Sequence, residues 1–247
     1  MTIGRLTARD AIRIGAIGDL AGTLSRRFGS SIVVGGSYAF ALHAGFPARA
    51  PNDLDVSFSE AALLDEMLST ATSWAVAATS PRAVRLFSGG IASSEVVVLA
   101  PDLLGSGGVA DRFACQFVFE DELSPAELTD VNKQFVNVEA LAWVIGKKLH
   151  ALWKERASTR VSTRSRDLFD LQIAIARAND IGFDAIAAAR CASSYGPPRA
   201  SLGDFPPEWH APWREMSNAT GIESELADAW ASLRGIVEEW RGLAEEP

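Results

Sequence analysis

Several things are scarce in this sequence. Its 247 residues include two cysteines, Cys115 and Cys191, and three histidines, His43, His150 and His210. Two distant thiols make no disulfide framework and read as free thiols in a reducing compartment. The histidines lack metal-ligand spacing, and the cysteines read as core thiols rather than nucleophiles. No apolar run approaches the roughly 20 residues a membrane helix needs. The opening MTIGRLTARDAIR has no signal-peptide core. The expectation is a cytoplasmic protein with no membrane partner. Positive charge is also short: the net charge is −8 and the pI about 5.0. That excludes a chain coated in basic surface for nonspecific nucleic-acid binding. There is no internal repeat and no low-complexity tract.

Hydrophobic residues are plentiful, at 48%, which marks a globular chain. Its length suffices for one large or two small domains. The charge is polarised. From Lys147 to Arg166 there are seven basic residues (Lys147, Lys148, Lys154, Arg156, Arg160, Arg164, Arg166) against one acid, Glu155. Acids gather instead near the C-terminus.

The most informative stretch is IVVGGSYAFALHAGFPARAPNDLDVSF, Ile32 to Phe58. Ile32-Val33-Val34 reads as a buried strand. Gly35-Gly36-Ser37 follows, where backbone can approach a ligand closely. Tyr38 to His43 reads as a short helix, and Asp53 to Phe58 as a second strand. Alternate side chains of a strand share a face. Asp53 and Asp55 therefore point one way, and Leu54 and Val56 the other, into the core. Two carboxylates side by side repel unless a cation lies between them, and hard oxygen ligands suit Mg²⁺. Gly36 and Ser37 are candidates to hold phosphate oxygens through backbone N–H and hydroxyl.

Elsewhere, Thr7 is placed to cap a helix from Ala8 to Phe28, and Glu60 to Ala75 reads as a helix. Strands are expected at Ala83–Phe87, Glu95–Leu99 and Phe113–Phe119, with a Gly-rich loop at 105–108. From Ser124 the texture turns helical. Asn137 is placed to cap a helix from Val138 to about Ala157, with Lys148 flanking its apolar stripe and Lys147 facing solvent. A second helix is expected from Arg166 to about Asn179, with Asp167 and Asp170 sharing a face. An Ala-rich helix near Phe183–Ser193, a Pro- and Trp-rich loop through Trp213 and a last helix over about 223–243 complete the chain.

A strand, Gly-Ser on a turn into a helix, then a strand bearing Asp-x-Asp resembles the nucleotidyltransferase signature of the DNA polymerase β superfamily. GGSYAFALHAG with Arg49 and NDLDV, then KKLHAL and RSRDLFDL, resembles the AbiEii/AbiGii toxin family over about Ile32 to Leu171. The resemblance implies an α/β (α+β) fold. A nucleotidyltransferase-like mixed sheet with flanking helices would span 1–123, and a mostly helical domain 124–247, with the active site in the cleft between them. It implies Mg²⁺-dependent transfer of a nucleotide from an NTP by a type IV toxin–antitoxin toxin. Asp53 and Asp55 would hold the metal, Lys148 the triphosphate, and Asp170 would join the catalytic group. Asp167 would sit at the nucleotide with Gly36 and Ser37. A tRNA 3′ end is the implied acceptor and a cognate antitoxin the implied partner, with the basic run 147–166 as the RNA path. The superfamily's third carboxylate has no mid-strand counterpart here. Gln116 or Val118 stands in its place and Glu120 ends the strand, so the third ligand is Gln116, Glu120 or none. Two alternatives follow: transfer to a small hydroxylated molecule, as in antibiotic nucleotidyltransferases, or a degenerate, non-catalytic nucleotide-binding or docking module.

Overall fold

A computed structural model describes residues 7–45, 50–75, 77–78, 82–87, 90–99, 112–154, 161–196, 204–222 and 224–245. The chain divides into two compact units, one of Leu6–Ala39 and Ala50–Ala140, the other of Met1–Arg5, Phe40–Arg49 and Leu141–Pro247.

The first unit opens with α1 (Ala8–Phe28). Thr7 and Asp10 cap it reciprocally, each side chain meeting the other's backbone N–H, which satisfies two donors that a helix start leaves open. Ile17, Leu20, Ala21 and Leu24 are wholly buried and lay this helix on the sheet. The strands are β1 (Ile32–Gly35), β2 (Asp53–Phe58), β3 (Ala77–Ala78), β4 (Arg82–Phe87), β5 (Gly90–Leu99), β6 (Arg112–Phe119), β7 (Ala126–Val131) and β8 (Gln134–Glu139). They form one mixed sheet in the order β3-β5-β6-β2-β1-β8-β7, with β4 paired to β5. β1 runs antiparallel to β2 and parallel to β8, and β2 runs parallel to β6. Between β1 and β2 comes α2 (Gly36–Ala44), and after β2 comes α3 (Leu64–Trp74). The pleat sorts β2 as its sequence predicts: Leu54 and Val56 are completely buried, while Asp53 and Asp55 are half-buried.

The β7–β8 hairpin replaces the helix start expected after Ser124. Asn137 lies within β8 rather than capping a helix, and its amide donates to the Gly29 carbonyl. The two-residue turn is Asn132-Lys133, with φ of 52° and 64°, the left-handed pair that a tight hairpin requires. Asn132 donates from its side chain to Asp19 on α1.

The second unit holds α4 (Leu141–Lys154), α5 (Val161–Ala176), α6 (Ala178–Ile181), α7 (Ala185–Ser193), α8 (His210–Thr220) and α9 (Leu226–Glu245). α4 packs on α5 and α7, α7 on α9, and α5 on α8. The expected Pro- and Trp-rich loop is helical from Pro207. Trp209 and Trp213 are buried there, and Trp213 donates its indole N–H to the Ser224 carbonyl. Arg177 donates to the carbonyl of Ala44, the last residue of α2, a cation at a helix C-terminus where the dipole favours it. The Gly-rich stretch 105–108 and Arg49 lie outside the described residues. No helix among those described is long and apolar enough to cross a membrane.

Candidate active site

In the sheet unit the site is built on the β1–α2 turn and the start of β2. Gly35 is the register partner of Asp55, so the turn leaves the sheet beside that carboxylate. Gly36 has φ +65°, and a Cβ placed on it would lie 1.7 Å from Asp55 Oδ2. Only glycine fits both the backbone and the space. The close approach seats the Asp55 carboxylate against the first residue of α2. Ser37, half-buried, is the next residue of that helix.

Asp55 is also in register with Gln116 on β6. The register thus selects Gln116, not Val118, as the residue beside Asp55, and its side chain carries no charge. Glu120 sits elsewhere: it accepts a hydrogen bond from Ser57 at 3.0 Å, two residues farther along β2 and roughly 7 Å of strand from Asp55. Among the described residues no three His, Cys, Asp or Glu side chains converge to hold a metal ion. Asp53 and Asp55 on one strand face are still a donor set that suits Mg²⁺, which usually takes one or two carboxylates and completes its octahedron with water and substrate phosphate. Cys115, next to Gln116, is fully buried; burial and then the Asp55 charge push its thiol well above the usual range. It is no nucleophile.

A buried carboxylate that sequence reasoning passed over adjoins the same turn. Glu139 ends β8, one residue beyond the Val34–Val138 pair, and is 1% exposed. A Cβ on Gly35 would meet its Oε2 at 3.0 Å. In sequence Glu139 reads as a first-turn residue of the next helix, and nothing there signals its burial.

In the helical unit the predicted residues converge on Lys148. Its Nζ stands 2.9 Å from Asp170 and 3.1 Å from Asp167, and Arg164 bonds Asp167 at 2.8 Å. Lys148 and Asp170 are 8% and 1% exposed at the side chain. α4 supplies the lysine, and one face of α5 supplies Arg164, Asp167 and Asp170 at three-residue spacing. Burial raises the Asp167 carboxyl, but Lys148 and then Arg164 outweigh it and hold the group below the ordinary carboxylate range. Each charge named here faces one of opposite sign, as buried ions require. Lys147 is half-buried and engaged rather than facing solvent. Arg164, placed by its sequence in a basic run, belongs to this cluster. Arg166 is exposed, and Arg156 and Arg160 lie outside the described residues. A separate cavity of about 590 Å³ in this unit, with Gln172, Ser217 and Ser224 in its wall, includes none of the predicted site residues.

Two carboxylates on one face of β2, one of them against a glycine turn that starts a helix, in a mixed sheet, define a nucleotidyltransferase fold, and known structures agree. MenT4, a nucleotidyltransferase toxin from Mycobacterium tuberculosis H37Rv, is similar at 18% identity and TM-score 0.53, over 97% of this chain and 95% of that one. JHP933 from Helicobacter pylori is similar at 14% identity and TM-score 0.51, over 98% and 95%. Another H. pylori chain, solved as a candidate nucleotidyltransferase, gives 14% identity and TM-score 0.54 over 97% and 98%. At these identities the likeness concerns fold. No match is found among curated proteins. The family model described as nucleotidyl transferase AbiEii toxin, type IV TA system, matches residues 20–235. The chain belongs to the AbiEii nucleotidyltransferase toxin family.

Proposed function

We propose that the protein transfers a nucleotidyl group from an NTP to a hydroxyl of RNA, a tRNA 3′ end first among acceptors, as the toxin of a cytoplasmic toxin–antitoxin pair. The observation that carries the reading is the placement of Asp53 and Asp55 on one face of β2, with Gly36 pressed against Asp55, in a chain of this family. Asp53 and Asp55 would hold Mg²⁺, which when bound neutralises charge on the triphosphate. Gly36 and Ser37 would offer backbone N–H and hydroxyl groups to phosphate oxygens at the positive end of α2. In the reaction the acceptor hydroxyl oxygen bonds the α-phosphorus, the bond from that phosphorus to the β-phosphate oxygen breaks, and pyrophosphate leaves. The hydroxyl proton passes to water. Lys148 would meet the triphosphate, with Asp167 and Asp170 holding its ammonium. Asp170, at 1% exposure, then acts through Lys148.

Label transfer from each α-labelled NTP to total tRNA, with Mg²⁺ present or chelated, tests the proposal. Labelled tRNA that requires the metal supports it. Label moving only to a small hydroxylated molecule favours the antibiotic-type alternative, and NTP binding without transfer favours the non-catalytic module. A cognate antitoxin is sought as a partner that co-purifies with the protein and suppresses transfer.

A further inference from the structure

In the helical unit α4 and α7 cross closely. A Cβ placed on Gly146 would lie 2.7 Å from Cys191 Cβ and 3.0 Å from the Ala188 carbonyl oxygen, so glycine is what lets α7 lie this near. The crossing brings Tyr195, just past the end of α7, onto the flank of α4. Its ring centroid is 6.1 Å from that of Trp143 and 5.6 Å from that of His150. Trp143 and His150 stand two helical turns apart and so share one face of α4, with Lys147 between them. The ring planes meet at 85° and 47°. Such edge-on and tilted contacts cover less ring surface than a parallel stack does. Trp143 and His150 are half-buried, and Tyr195 is 40% exposed.

A core would enclose these three rings, and here water reaches them. Charge says what suits them. α4 reads LAWVIGKKLHALWK, with lysines and no acid, in a chain of net charge −8. Aromatic rings on a helix free of carboxylates and rich in lysine fit single-stranded nucleic acid. Every base has a face that can stack on a ring, and cations follow the phosphates. A duplex keeps those faces inside its own stack, so an unpaired segment is the fitting ligand. Lys148 is turned into the Asp167 and Asp170 carboxylates and leaves α4 on another side from the rings.

We infer that Trp143, His150 and Tyr195 form a stacking platform for the unpaired bases of single-stranded RNA. The inference deepens the proposed function, since RNA is the acceptor assigned there. It adds base contacts to an RNA path that the basic run describes only through phosphates.

The test measures the Kd of the full-length protein for a labelled single-stranded RNA of about ten nucleotides, across a salt series, with the same RNA in a duplex as control. Tyr195→Leu keeps apolar bulk and removes the ring. It should weaken single-stranded RNA by about tenfold and leave duplex binding as it was. The slope of log Kd against log salt should stay at the parent's, because no phosphate contact is lost. Tyr195→Phe keeps the ring and should bind like the parent. Trp143→Leu removes the platform from its other side and should act as Tyr195→Leu does; it serves if Tyr195→Leu does not fold. Parent-level affinity in both leucine variants overturns the inference. So does a Tyr195→Phe as weak as Tyr195→Leu, which marks a hydroxyl contact, or an equal loss on the duplex. A parent that binds no single-stranded RNA overturns it as well. The proposed function is judged separately by label transfer: RNA that binds through the rings and takes no label contradicts that reading alone, and labelled tRNA with unaltered binding in the leucine variants contradicts the platform alone.

Discussion

Lys148 Nζ lies 2.9 Å from the carboxylate of Asp170, a residue 1% exposed. This lysine is held from its own unit by two acids, and the second of them, Asp167, is held in turn by Arg164. A lysine bound in this way has a fixed position, which suits a point interaction with a phosphate.

Removing one member of such a cluster leaves uncompensated charge. Lys148→Met is expected to destabilise the protein by about 3 kcal/mol in urea unfolding, as well as to abolish transfer. Adding Asp170→Asn, which leaves Arg164 paired with Asp167, should recover most of that stability and none of the activity. A stable Lys148→Met single variant would mean that the cluster does not hold the unit together.

The cluster also predicts acid sensitivity. The folded Asp167 carboxyl is lowered from 3.8, so the unfolded chain takes up the proton first. The stability this group contributes is complete above the unfolded value and is lost as pH falls through the lower folded one. Melting temperature measured across that acid range should fall less steeply in Asp167→Asn than in the parent. Identical acid limbs would contradict the assignment.

Gly36→Ala tests the packing of the turn against Asp55. The added Cβ would meet Oδ2 at 1.7 Å in a backbone at φ +65°, so both stability and transfer should drop. The loss should be about 1–3 kcal/mol. Gly36→Ala with Asp55→Ala should regain stability through relief of the clash, but not transfer. Equal stability of the single and double variants would show that the strain lies in the backbone alone.

Much of this was legible in the sequence because the signals were local. Thr7 announced the start of α1. Alternation about Leu54 and Val56 put Asp53 and Asp55 on one face. RSRDLFDL put Asp167 and Asp170 on one side of a helix. The β7–β8 hairpin was hidden for physical reasons. Its turn uses Asn132-Lys133 where glycine usually gives the signal, and Leu128 and Phe135 project into solvent at 66% and 65% exposure. With apolar side chains pointing outward, the alternation that marks a half-buried strand disappears. Asn137 then reads as the cap of a helix that starts at Val138 and runs on through Leu141 and Ile145. The burial of Glu139 and the ion pair of Arg164 escaped notice because they come from neighbours distant in sequence or across the helix pair: β1 for one, Lys148 through Asp167 for the other.

Arg164 changes how an RNA path is tested. Because it pairs with Asp167, reversing its charge disrupts the Lys148 cluster. Arg160→Glu with Arg166→Glu is the cleaner variant, Arg166 being exposed. If the basic run follows RNA, this variant should weaken tRNA binding and flatten the plot of log Kd against log salt by about 0.7 for each phosphate it no longer neutralises. NTP affinity should stay near the parent's. Equal tRNA affinity and slope would remove those two arginines from the path.

The central claim rests on the carboxylates of β2, and transfer of α-labelled nucleotide to tRNA by Asp53→Asn and Asp55→Asn tests it most directly. Both variants keep the side-chain size, so thermal melts should remain near the parent's while incorporation falls to background even at saturating Mg²⁺. Parent-level incorporation by either folded variant would contradict the account.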